Sequence, residues 1–372
     1  MLSPVTALRV APTISLGVTF LPSAIPTLID ATHLANRFYC YSLRPFAGKR
    51  DFMVTLDEWQ RWGSLSPVPT KVVDIIRNLE LLADDVDTRL TFSEKGGQLQ
   101  SNFKIQEDKK HRATYESLQD SEEKLQFYSA RQIACRLLGS RGYLCQKCWL
   151  PQEEDCMCSE IEPIPLWPKI RFWLYMHPKD FLRQNNTGKL LWQVFGVQSA
   201  TLCLFGVPEH EEIMWNALKL SGKEKVWCLY PGKNVEQKSV QDALGLYYLD
   251  DCTSEVNMRS EHDIMNFILI DGTWSNSAAM FKRLKEQSKV LFGGNDLPCI
   301  TLSTGLSTMH KLRPQPSRDR TCTAAAAIGL LSELHLLPKL SHHGLEGQAE
   351  ALDDALLVLL QALTNKRHRM GL

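Results

Sequence analysis

From Ile170 onward the chain alternates short apolar runs with stretches whose apolar positions recur every three or four residues. The runs are IRFWLYMH from Ile170, ATLCLFGV from Ala200, KVWCLYPG from Lys225, NFILIDGTW from Asn266 and PCITL from Pro298. Runs of this length, apolar at consecutive positions, fit strands covered on both faces. Glu209 to Leu220, Ser275 to Gln287 and Thr321 to Leu336 are instead amphipathic with the helical period. Strands alternating with helices predict an α/β domain built on a mostly parallel sheet with helices on both faces. A last helix, Glu350 to Leu363, leads into a basic tail over 365–372 containing Lys366, Arg367, His368 and Arg369.

Upstream, Val72, Ile75, Ile76, Leu79, Leu82 and Ala83 fall on one helical stripe, with Thr70 after Pro69 as its cap. The polar stretch from Ser93 to Arg112 predicts a mobile segment. It carries Lys109, Lys110, His111 and Arg112, which read either as a solvated loop or as an RNA contact. Tyr115, Leu118, Leu125, Tyr128, Ile133 and Leu137 mark a second helical region ending at Gly139. Residues 51–142 therefore read as an α-helical extension, and 143–364 as the catalytic domain.

Composition narrows the classes. With 372 residues and 44% of them hydrophobic, the chain has ample material for a core. Its formal net charge is zero, so any nucleic-acid contact must come from a local basic patch. No uncharged apolar run approaches the ~18 residues of a membrane span, and no membrane partner is expected. Glycine-rich phosphate loops of the Walker or dinucleotide type are absent, as are internal repeats. Residues 1–50 are rich in Ser, Thr, Pro and Ala and carry Arg9, Arg37, Arg44, Lys49 and Arg50 against the single acid Asp30. Two readings stand for them: a transit peptide for chloroplast or mitochondrion, or an ordinary disordered start on a cytoplasmic or nuclear protein.

Of eleven cysteines, Cys145, Cys148, Cys156 and Cys158 crowd into CQKCWLPQEEDCMC and the other seven are scattered. Four soft ligands in a short polar loop suit a structural tetrahedral zinc with no open coordination position. The competing reading is a redox dithiol, but such a pair usually opens a helix after a strand and has no second pair beside it. The zinc knuckle, 145–158, would staple the start of the catalytic domain and present a surface to RNA.

The run FILIDGTWSNSAAMFKRL, Phe267 to Leu284, passes from strand into helix at Asp-Gly-Thr-Trp. In open α/β sheets ligands bind beyond the carboxyl ends of the strands, which is where Asp271 and Trp274 stand. Asp271 is either a functional carboxylate or a cap on the following helix, and Trp274 either packs on a ligand or belongs to the core. Tyr230, Pro231 and Gly232 follow another strand, where the glycine permits close backbone approach to a ligand or simply makes a Pro-Gly turn.

These features together resemble the DTW-domain proteins, which include the tRNA-uridine aminocarboxypropyltransferases. The resemblance runs from about Cys145 to about Leu336 and rests on several motifs in order. They are the paired cysteines, MHPKD at Met176, NTGKL at Asn186, LYPG at Leu229, IDGTW at Ile270, LP at Leu297, KLRPQP at Lys311 and CTAAAA at Cys322. It implies a SPOUT-like fold with a C-terminal knot that cradles S-adenosylmethionine. The implied reaction moves the 3-amino-3-carboxypropyl group of that donor to N3 of a tRNA uridine and releases 5′-methylthioadenosine.

Carried onto this chain, the resemblance makes Asp271 the general base or a substrate-orienting carboxylate, its pKa raised by desolvation at the strand end. Trp274 holds the donor sulfonium. Tyr230, Pro231, Gly232 and Thr273 line the donor site, with Leu297 and Pro298 as adenine-pocket candidates. Arg313 pairs with the donor carboxylate or with an RNA phosphate. Lys311, Arg318 and Arg320 read as phosphate contacts or a solvated loop, while His177 and Lys179 read as RNA contacts, with a structural histidine as the alternative. One departure is Ala325, where relatives carry a glutamate in a Ser-Thr-x-Glu-Ala pattern. It motivates a second function, a catalytically silent RNA-binding protein. SPOUT-type methyl transfer to RNA is a third.

Overall fold

The structure is a computed structural model that describes residues 54–93, 97–231, 237–244, 264–294, 296–303 and 321–371. The extension begins with Leu56–Arg61 (α1), whose N-cap Thr55 accepts a bond from the Glu58 amide. Thr70–Asp85 (α2) buries Val72, Ile76 and Leu79, one face at helical spacing. Thr70 is the first helical residue and not the cap: Pro69 holds that position, and the Thr70 amide donates instead to Glu209.

The polar middle is more ordered than its composition suggests. Phe92 and Leu99 form an antiparallel bridge, and Ser101–Ser117 (α3) follows. Two anchors hold α3. Phe103 is fully buried, and Glu107 with Asp108 binds Arg131 of the next helix, Ser121–Ser140 (α4). Lys109 to Arg112 therefore ride on a helix. Asp120 caps α4, which buries Ala130, Ile133, Ala134 and Leu137.

The strands are Ile170–Met176 (β1), Ala200–Leu204 (β2), Val226–Leu229 (β3), Gln237–Lys238 (β4), Met265–Asp271 (β5) and Cys299–Ile300 (β6). Five were expected; the two-residue β4 carries no apolar run. They lie in the order β2-β1-β5-β3-β6-β4, and every neighbouring pair is parallel. Alternate side chains of β1 and β5 point to opposite faces. Phe172, Leu174, Met176, Phe267 and Leu269 enter one core, and Trp173, Tyr175 and Ile268 the other.

Lys189–Phe195 (α5), Thr323–His335 (α9) and Leu345–Arg369 (α10) cover the first face together with α2 and α4. Pro208–Ser221 (α6) and Trp274–Leu291 (α8) cover the second, and Val240–Leu244 (α7) follows β4. Residues Asp51–Leu372 form one unit, and the extension contributes Trp59, Ile76 and Ile133 to the same core as the sheet. Lys366 to Arg369 are not a separate tail but the last turn of α10. The expected transit segment, 1–50, lies outside the described residues, as do residues 304–320 that follow β6.

Candidate active site and metal centre

Strands β3 and β6 end level with one another, Leu229 beside Ile300, and β5 runs two residues further, past Leu269 to Asp271. The chain leaves them as Tyr230-Pro231, Asp271-Gly272 and Thr301-Leu302, all of which line a cleft of about 140 Å³. Asp180, Arg183, Asn186 and Thr187, from the β1–α5 loop, form another wall; Trp274 and Ser277 of α8 and Thr321 to Thr323 at the start of α9 complete it.

Asp271 ends β5 only 6% exposed, with its carbonyl taking the His177 amide at 2.8 Å. Its Oδ2 accepts from Asn186 Nδ2 at 2.9 Å and its Oδ1 from Thr323 Oγ1 at 3.1 Å. The Asn186 amide is itself oriented, since its Oδ1 accepts the Lys189 amide at 3.1 Å. Gly188 completes the seat: a Cβ there would stand 2.2 Å from Asp271 Oδ2. The carboxylate is thus gripped from α9 and from the β1–α5 loop. The N-cap of α8 is Thr273, whose hydroxyl pairs with that of Ser275 at 2.9 Å.

Trp274 is half-buried in the cleft wall and belongs to neither core cluster. The Tyr230 ring stacks on Phe281 with centroids 4.2 Å apart, which fixes it as a wall. Two buried polar atoms on the lining, Asp180 Oδ2 and Thr321 Oγ1, have no hydrogen-bond partner among the described residues. Flat aromatic surface, apolar Leu229 and Ile300, and unspent polar atoms fit a small ligand with both apolar and polar parts.

The four clustered cysteines place their sulfurs within 4.8 Å of one another. Cys145 and Cys158 are 3.6 Å apart and Cys148 and Cys156 3.9 Å. A tetrahedron with Zn–S bonds of about 2.3 Å has edges of about 3.8 Å, so the set fits zinc. The Leu144–Pro151 bridge and the Trp149 amide bond to the Cys145 carbonyl form the turn. Beneath it Lys189 is fully buried, its ammonium 5.9 Å from the Trp149 ring and 2.5 Å from the Gln184 carbonyl. Burial pushes the ammonium down to about 7, opposed by Cys148, Cys158 and Cys145. Asp155, inside the knuckle, binds Arg369 and lies 4.0 Å from Lys366, tying the end of α10 to the cysteine loop.

A family model of the DTW domain matches residues 142–368, well over half of the chain. The chain belongs to the DTW-domain family. The matched segment contains the cysteine cluster, the whole sheet and every residue lining the cleft, while α1 to α4 precede it. No solved structure matches the chain.

Within the DTW domain, some expected site residues stand apart from the cleft. Leu297 is buried in the core beneath α8, and the Pro298 carbonyl accepts the Cys228 amide at 2.9 Å. Both precede β6, so they sit at the wrong end of that strand; Ile300, Thr301 and Leu302 line the cleft in their place. Thr273 is not among the lining residues either. His177 is 6% exposed, packs against Phe205 and accepts the Lys179 amide on Nδ1 at 3.2 Å. Burial pushes it down to about 4, so it is a neutral packing residue at neutral pH, the structural alternative. Lys179 is exposed outside the cleft. Gly232, Lys311, Arg313, Arg318 and Arg320 lie outside the described residues.

Asn186, Thr323 and Arg183 of the DTW domain were missed as site residues. The available signal was that NTGKL and CTAAAA sit at loop-to-helix junctions; which carboxylate they serve depends on strands far apart in sequence. Ala325 is partly buried against the core, and its neighbours Thr323 and Ala326 line the cleft where it does not.

Proposed function

We propose that this DTW-domain protein is a tRNA-uridine aminocarboxypropyltransferase that uses S-adenosylmethionine as donor. The observation that carries the reading is the Asp271 carboxylate, held by Asn186 and Thr323 in the cleft wall beside Trp274. A tRNA-modifying role is consistent with the family, and the sheet-end cleft is where such a fold binds small ligands.

When bound, the donor supplies a sulfonium that makes its γ-carbon electrophilic. Asp271 takes the N3 proton of uridine while N3 bonds to that carbon; the carbon–sulfur bond breaks, its electron pair goes to sulfur, and 5′-methylthioadenosine leaves. Trp274, in the cleft wall, would orient the donor, and a sulfonium over its indole would gain about 0.5–2 kcal/mol. Arg313 is retained for either anion, the donor carboxylate or an RNA phosphate. The cysteine loop would hold structural zinc and brace the β1–α5 loop, since Trp149 packs on Phe181 at 5.5 Å and on Trp192 at 5.2 Å. A knotted SPOUT-like path for the C-terminal strands and organellar delivery by residues 1–50 complete the proposal.

The full chain, donor and unmodified tRNA should release methylthioadenosine and give 3-amino-3-carboxypropyl uridine by nucleoside mass spectrometry. Adenosylhomocysteine would indicate methyl transfer, and tRNA binding without either product the silent RNA-binding protein suggested by Ala325. Asp271→Asn should lower the rate by about 10²–10⁴-fold with the circular-dichroism spectrum retained. A variant transferring at the parental rate removes the role given to Asp271.

A further inference from the structure

The extension brings a cation to the rim of the cleft. Arg136 of α4 donates from Nη2 to the Lys179 carbonyl at 2.8 Å, so it rests on the same loop whose Asp180 and Arg183 line the cleft. Lys179 is exposed, its ammonium 5.7 Å from the ring of Tyr128, also on α4. Arg183 bonds Asp180 Oδ1 at 2.5 Å. Burial and then the nearby Arg183 guanidinium both push Arg136 below its ordinary range, with Asp180 opposing. Neither Arg136 nor Lys179 makes an ion pair among the described residues.

Arg136 and Arg183 both act on Asp180, and Lys179 is its neighbour in the chain, so three cations from two segments meet on one loop. Holding like charges together is unfavourable and is relieved by an anion. Arg136 and Lys179 stand outside the cleft and Arg183 inside it, an order suited to a nucleotide whose base enters the cleft while its backbone crosses the rim.

We propose that Arg136, Lys179 and Arg183 form a phosphate-binding ledge for the nucleic-acid substrate, so that α4, which precedes the DTW domain, is part of the substrate surface. This rests on the nucleic-acid reading of the cleft. A backbone phosphate, and not the donor carboxylate, is its ligand.

The test is binding of the full chain to unmodified tRNA by fluorescence polarisation across a salt series, with Arg136→Gln and Lys179→Ala. Each variant should weaken binding about fivefold near physiological salt and reduce the slope of log K against log salt by about 0.9, one phosphate contact. Donor affinity, from calorimetry with S-adenosylmethionine, should stay at the parental value. Lys179 is exposed, so its variant folds even if Arg136→Gln does not. Parental slopes in Lys179→Ala and in a folded Arg136→Gln overturn the ledge, as does a loss of donor affinity with RNA binding intact. A parental chain that binds and transfers, with such unresponsive variants, removes the ledge alone; a parental chain that binds no tRNA removes the functional reading as well.

Discussion

At the residue scale the site depends on how closely backbone approaches one carboxylate. Gly188 has φ −59° and ψ −33°, a conformation any residue adopts, so its backbone gives no reason for glycine. The reason is Asp271 Oδ2, which occupies the place of a Cβ. Gly188→Ala should push the carboxylate off Asn186 and lower transfer at least about tenfold, a barrier increase of about 1.4 kcal/mol. The overpacking should lower stability by about 1–3 kcal/mol, which leaves the protein folded at assay temperature. Parental kinetics in this variant would mean that the carboxylate's placement is not critical. Asp271, Trp274 and Tyr230 were legible because a strand's end announces itself in sequence. Leu297 and Pro298 lie away from the cleft, because a two-residue strand does not reveal which of its ends opens onto it.

At the element scale, periodicity located the long strands and the amphipathic helices. It failed where tertiary partners do the holding. Helix α3 has few apolar residues and is secured by Phe103 and the ion pair from Glu107 to Arg131, which pairing across 24 positions in sequence conceals. A second such tie joins the extension to the sheet. Arg283 of α8 binds Glu122 of α4 and Glu211 of α6 at 2.6 and 2.5 Å, and Glu211 also accepts the Tyr175 hydroxyl at 2.7 Å. Arg283→Met leaves the Glu211 carboxylate, 7% exposed, without its cation and should lower unfolding stability by about 3 kcal/mol in urea titrations at neutral pH. Glu122 is 41% exposed, and Glu122→Gln should lower it by less than about 1 kcal/mol. Equal effects would mean that burial does not set the strength of this network.

On the scale of the whole molecule, the cysteine loop links the chain's regions. Trp149 packs against the β1–α5 loop, Lys189 lies buried beneath the sulfurs, and Asp155 holds the end of α10. The purified protein should contain about one zinc per chain, and chelation should lower its thermal midpoint and weaken transfer together. Zinc-free protein with an unchanged midpoint after chelator treatment would rule out the structural metal.

The sequence alone determined the α/β class, the parallel sheet, the cysteine set and the strand ends, because each is written in neighbouring residues through period, spacing or a turn. The tertiary structure alone decided that Asn186, Gly188 and Thr323 converge on Asp271, that the extension shares the core of the sheet, and that Arg136 bonds the β1–α5 loop. Those contacts join residues tens to more than a hundred positions apart, and only the packing of parallel strands and their crossover helices brings such residues within reach of one another.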